Sequence, residues 1–195
     1  MPLNTMLDSQ LPVIRLTGPI DMQVAYALID ELDLLHDYYQ FRTIVLQIDS
    51  PGGDATALHF LVQSLTAWRK GEDRTLQTVG LNEVCSAAAI LLSFGTIGHR
   101  SASRHSRLLY HPIRTVFPSG ATQTYTQLRT TGRLLDQWDQ KFLDLMTEHT
   151  ASVRKSTDNV AYRRKLKRFF LKEKFITAAE ACELQLIDRV CEREG

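Results

Sequence analysis

Between Val13 and about Phe94 the hydrophobic pattern switches repeatedly between a strand period and a helix period, with a stop signal at most of the switches. Val13-Ile14-Arg15-Leu16-Thr17 is a β-rich run closed by Gly18-Pro19. Met22, Ala25, Leu28, Ile29, Leu32 and Leu35 then recur at helical spacing, with Asp21 placed to cap the N-terminus. Thr43–Ile48 reads as a buried strand stopped by Ser50-Pro51-Gly52-Gly53, and Leu58, Leu61, Leu65 and Trp68 mark a second helix. A third strand, about Leu76–Gly80, leads through Leu81–Cys85 into a small-residue helix over Ser86–Phe94. This alternation predicts an α/β fold of right-handed βαβ units on a mainly parallel sheet.

After His111-Pro112 the pattern changes. Phe117–Thr122, with Pro118 and Gly120, reads as a loop or irregular strand. From Tyr125 to about Thr150, Leu128, Leu135, Trp138, Phe142, Leu145 and Met146 mark a long helix, placed to project from a compact core as an assembly arm. Near the end, Thr177 and Glu180 form a capping box for a helix over Ala178–Leu184, and Ile187–Cys191 reads as a short last strand. At 195 residues the chain suits one domain over 1–195. Its expected parts are a head over 1–112, a handle over about 113–150 and a tail over 151–195 that completes the head.

A formal charge of +1 argues against general attraction to nucleic acid or an anionic membrane. Arg154–Lys174 holds nine Lys/Arg against Asp158 and Glu173, a run that reads as a solvated helix face or loop. Cys85, Cys182 and Cys191 are an odd number without metal spacing, so a reduced, cytoplasmic setting is expected. Met1–Gln10 lacks a signal-peptide pattern, and no stretch approaches the ~20 apolar residues of a membrane span.

Three segments carry candidate chemistry. Glycines in Ser50-Pro51-Gly52-Gly53, between strand and helix, allow close approach of a ligand and leave N–H groups for a developing oxyanion. Taken alone, that segment is a turn. Ser86 begins the alanine-rich helix, where the dipole and unpaired N–H groups favour negative charge; taken alone, it is an N-cap. It is not a G-x-S-x-G elbow, because Val84 and Ala88 occupy the glycine positions. His111 ends the strand-like run Arg107-Leu108-Leu109-Tyr110, which could aim its imidazole at a fixed point. Cys85, next to Ser86, is the rival nucleophile, although a small buried thiol is the commoner role. His36, His59, His99, His105 and His149 share no motif or ligand spacing.

The ordered set VIRLTGPI, IVLQIDSPGG, CSAAAILLSFGTIGHR, SRLLYHP, GATQT and KFITAAEACELQLID resembles the Clp protease proteolytic subunit, a crotonase-type fold, over most of residues 13–190. The resemblance implies Ser86 as nucleophile, His111 as general base and the N–H groups of Gly53 and Ala87 as oxyanion hole. Where the family has an aspartate as third triad member, this chain has Glu173, with Asp158 as the fallback. It further implies a serine endopeptidase acting on unfolded proteins or peptides inside a ring, heptameric or stacked in pairs, with no metal or organic cofactor. A Clp-type ATPase or a paralogous subunit is the implied partner. About a dozen residues precede Val13, fewer than the family usually devotes to the axial loops that engage that ATPase. Two alternatives are a catalytically impaired structural subunit and a crotonase-type acyl-CoA enzyme. The second would need acid/base carboxylates, and the helix after the glycine turn offers only Asp54.

Overall fold

The computed structural model describes residues 3–7, 11–70, 73–115, 117, 119, 121–154 and 158–192. Pro118 and Gly120, part of the segment read as a loop, lie outside them. Among the described residues an eight-stranded sheet runs β1-β2-β3-β4-β5-β8, with a further pair, β6 and β7, attached to β4. The strands are β1 (Leu3–Leu7), β2 (Pro12–Thr17), β3 (Thr43–Ser50), β4 (Thr75–Cys85), β5 (Arg100–Ser103), β6 (Arg107–Leu109), β7 (Phe175–Ile176) and β8 (Arg189–Cys191). All pairings are parallel except β1 with β2 and β6 with β7. The expected α/β class and mainly parallel sheet are therefore present.

Local chemistry explains the helices. Asp21 caps α1 (Met22–Asp33) by accepting from Val24 N at 2.8 Å, as its position predicted. Asp54 does the same for α2 (Ala55–Trp68) through Ala57 N. The apolar rows Leu28, Leu32, Leu58, Leu61 and Leu65 are all fully buried. α1 continues into one wide turn over Leu34–Tyr38, with Tyr39 N bonded to Leu34 O at 3.2 Å, which periodicity did not announce. β3 is buried along most of its length, as a central strand covered on both faces must be.

The long helix α4 (Tyr125–His149) begins at a capping box between Thr124 and Gln127. Its buried residues are confined to the last third: Phe142, Leu143, Met146 and Thr147. Of the two readings of the basic run, the helix is the one present: α5 (Asn159–Phe170) is amphipathic, with Tyr162, Leu166, Phe169 and Phe170 buried. Its charged face meets α4 where Arg163 pairs with Asp144 and donates to Gln140 at 2.6 Å. The last helix, α6 (Ala178–Glu183), carries the predicted Thr177–Glu180 capping box.

The Gly-x-x-Gly-x-Arg sequence ending at Arg100 locks the tail to the head. Arg100 is fully buried and donates to Asp188 through N at 2.9 Å, Nε at 2.9 Å and Nη2 at 2.6 Å, and to Ser93 O at 3.1 Å. Burial alone would raise the Asp188 carboxyl, but the hydrogen bonds and charge of Arg100 outweigh it and hold it below the usual range.

Candidate active site

The site forms at the C-terminal ends of parallel strands, where α/β sheets bind their ligands. β4 is longer than expected, running through Leu81–Cys85 without a break. A bulge explains how: Ile48 pairs with Gly80, yet Ser50 pairs with Val84, so four steps on β4 face two on β3. The first half of β4 pairs with β5 and the second with β6. Cys85 lies opposite Leu109, and Ser86 N donates to Leu109 O at 2.8 Å. Ser86 and His111 thus follow paired residues on adjacent strands, one and two positions beyond the register.

Ser86 has φ 57° and ψ −126°, a conformation that L-residues rarely adopt. Its hydroxyl does not cap α3 (Ala87–Ser93), although the N-cap role was the ordinary reading of a serine there. The glycine turn is pressed against this corner. A Cβ on Gly52 (φ 91°) would meet Cys85 O at 2.5 Å, Ser86 Cβ at 2.7 Å and Ala87 N at 2.9 Å. Ser50 shapes the turn by donating from Oγ to Gly18 O at 2.6 Å and accepting from Gly52 N at 3.1 Å. Gly53 bridges to Ile20 in parallel, and that bridge uses Gly52 O and Asp54 N. The N–H of Gly53 itself therefore takes no part in the bridge to Ile20.

β6 is anchored beneath the site by Tyr110, which is fully buried with its hydroxyl 2.9 Å from Ser93 Oγ and its ring beside Phe169 and Phe170. The next residue, His111, lines a pocket of about 420 Å³ together with Ser86, Gly53, Asp54, Arg114 and Trp138. Leu134, Leu135 and Ile113 add apolar wall. His111 Nδ1 lies 2.6 Å from Pro112 O. A carbonyl can only accept, so Nδ1 carries the proton, and in the neutral ring Nε2 is the free base.

Ser86, His111 and Gly53 thus share one pocket, and Ala87 follows Ser86 as the first residue of α3. Among the described residues no hydrogen bond joins Ser86 to His111, or Glu173 to His111. Glu173, in the left-handed region at φ 46°, pairs instead with Arg114, a lining residue that sequence reasoning did not single out. Asp158 caps α5 through Ala161 N at 2.9 Å and lines a different pocket, with Arg154, Tyr162 and Glu183. Cys85 is buried, its thiol pushed up to about 11 by burial and by Glu83, which is the opposite of activation. No helix is long and apolar enough to cross a membrane among the described residues.

The Clp protease family pattern matches residues 3–194. An ATP-dependent Clp protease proteolytic subunit 2 from Corynebacterium jeikeium (strain K411) is 28% identical over 193 residues, 97% of this chain and 82% of that protein. A proteolytic subunit 1 from Rhodococcus jostii (strain RHA1) is 28% identical over 195 residues, 98% of this chain and 79% of that protein. Another subunit 1, from Mycolicibacterium paratuberculosis (strain ATCC BAA-968 / K-10), is 29% identical over 198 residues, 98% of this chain and 82% of that protein. With the family pattern running almost end to end over this fold, the chain belongs to the Clp protease family.

Proposed function

We propose that this protein is a serine endopeptidase that cleaves unfolded proteins or peptides, with Ser86 as nucleophile and His111 as general base. The observation that carries the reading is the β4–β6 register, which sets a strained Ser86 and His111 on the wall of one pocket. His111 Nε2 takes the proton from Ser86 Oγ as that oxygen attacks a peptide carbonyl carbon. The proton then passes to the leaving amine, and water repeats the sequence on the acyl-enzyme. The N–H groups of Gly53 and Ala87 receive the oxyanion, each donor contributing about 3 kcal/mol to the transition state. Relatives named as subunits of an ATP-dependent protease support assembly into an oligomeric chamber served by a Clp-type ATPase or a paralogous subunit.

A serine-directed fluorophosphonate tests the chemistry. Labelling is expected in the intact protein and lost in Ser86→Ala; His111→Ala lowers it by orders of magnitude. Undiminished labelling of Ser86→Ala would end the proposal and reopen the acyl-CoA alternative. A second reading, an impaired structural subunit, draws support from His111 being turned to Pro112 O and from Arg114 holding Glu173. Peptide turnover by the assembled protein, alone and with a paralogue, separates the two. Short and long peptides belong in that assay, since a closed ring would admit only the former.

A further inference from the structure

One carboxylate of α4 stands beside the histidine segment. Asp139 is four residues from both Leu135, which lines the pocket, and the buried Leu143, so it lies on the stripe of α4 that faces the head. It is half-buried, and its Oδ1 accepts from the N–H of Ile113 at 2.7 Å. That N–H is one end of a peptide group whose other end is the Pro112 carbonyl. The same carbonyl accepts from His111 Nδ1 at 2.6 Å. In a trans peptide the C=O and N–H point in opposite directions, and no described peptide is cis. The imidazole and the carboxylate therefore grip one planar, polarisable unit from its two sides.

We propose that Asp139 is the positioning carboxylate of this site, acting on His111 through the Pro112–Ile113 peptide group rather than by direct contact. The inference rests on the serine–histidine reading above. A charge accepting from the amide N–H makes the carbonyl at the other end more negative, since hydrogen bonds in series strengthen one another. The carbonyl then holds Nδ1–H more firmly and stabilises the imidazolium that forms when Nε2 takes the Ser86 proton. No proton leaves Nδ1, and none passes to Asp139. Pro112 contributes a narrow φ, which limits the directions its carbonyl can take.

Burial raises the Asp139 carboxyl above the usual range and Asp136 adds to the rise, while the Ile113 N–H and the nearby charges of Lys167 and His111 offset only part of it. Other charged groups at the site are Asp54 and Arg114 on the pocket wall and Glu173, whose charge Arg114 offsets. Glu173, matched by sequence order, pairs with Arg114, whereas Asp139 accepts from the Ile113 N–H.

Asp139→Asn keeps an oxygen able to accept from Ile113 N–H but removes the charge. In the full-length assembled protein it is compared with Glu173→Gln, using the pH dependence of fluorophosphonate acylation. A second readout is the His111 imidazole titration followed by carbon-13 NMR, which requires no turnover. The expected result for Asp139→Asn is a plateau rate about tenfold lower and a His111 titration midpoint about one unit lower, with Glu173→Gln within about twofold of the parent. An unshifted midpoint in Asp139→Asn, or a larger loss in Glu173→Gln, overturns the proposal. In the unsubstituted protein the Ile113 amide resonance should follow the titrations of both Asp139 and His111. An amide that follows neither also overturns it, without any variant having to fold. Failure of the unsubstituted protein to be labelled sinks the serine–histidine reading instead, and the NMR titrations still decide the relay.

Discussion

Ser86 holds its backbone where a Cβ is poorly tolerated, with Gly52 packed against its side chain. Strain of this kind persists only when the surroundings over-determine it, and here the bond from Ser86 N to Leu109 O and the glycine turn do so. Ser86→Ala keeps the strain and Ser86→Gly relieves it, while both remove the hydroxyl. Ser86→Gly should therefore unfold at higher denaturant than Ser86→Ala, by about 1 kcal/mol, in an equilibrium unfolding measurement. The reverse order would mean that the corner is relaxed in solution. Cys85 gives the complementary case, since a buried thiol beside a carboxylate has little thiolate near neutral pH. Cys85→Ala should leave fluorophosphonate labelling intact.

At the scale of elements, β5, α3 and the segment after α6 meet at Arg100 and Asp188. Arg100 has no exposure, so losing its partner leaves a buried charge unpaired. Asp188→Asn should cost about 3 kcal/mol of folding stability, read from denaturant unfolding. Nearby, His149 at the end of α4 stacks on Phe94, with Nε2 3.0 Å from Gly95 O. Burial, then the charges of Arg69 and Arg100, lowers its pKa from 6.5 to about 4. The fold therefore prefers the neutral ring, and the unfolded chain binds the extra proton between those values. Stability from this residue is complete above pH 6.5 and falls as the pH drops toward about 4. His149→Phe should flatten that part of the melting temperature-versus-pH curve; an unchanged slope would exclude His149 as its source.

For the whole molecule, α4 is a helix whose buried residues lie only in its last third. Tyr125 is 77% exposed and Leu128 48%, on the segment expected from the sequence to serve as an assembly handle. Those side chains are expected to be covered by other copies. A Tyr125→Ser, Leu128→Ser double variant should sediment as smaller species than the parent. An unchanged sedimentation coefficient would mean that this face is not an interface.

The sequence by itself determined whatever depends on spacing along the chain. Periodicity marked α1, α2 and α4, capping residues marked where α1 and α6 begin, and the glycine turn marked the end of β3. The candidates Ser86 and His111 were legible from motif order, each at the end of a strand-like run. Tertiary structure decided the rest, because it depends on which segments pair and in what register. The β4 bulge, with β6 set against the second half of that strand, puts His111 on the wall of the same pocket as Ser86. The basic run became an amphipathic helix once four of its residues found the core. The carboxylates show the limit most clearly. Linear order matched Glu173 to the triad, but a carboxylate pairs with whichever donor lies within reach. In the folded chain Arg114 reaches Glu173, and Asp139, on a helix 26 residues farther along, reaches the amide of Ile113.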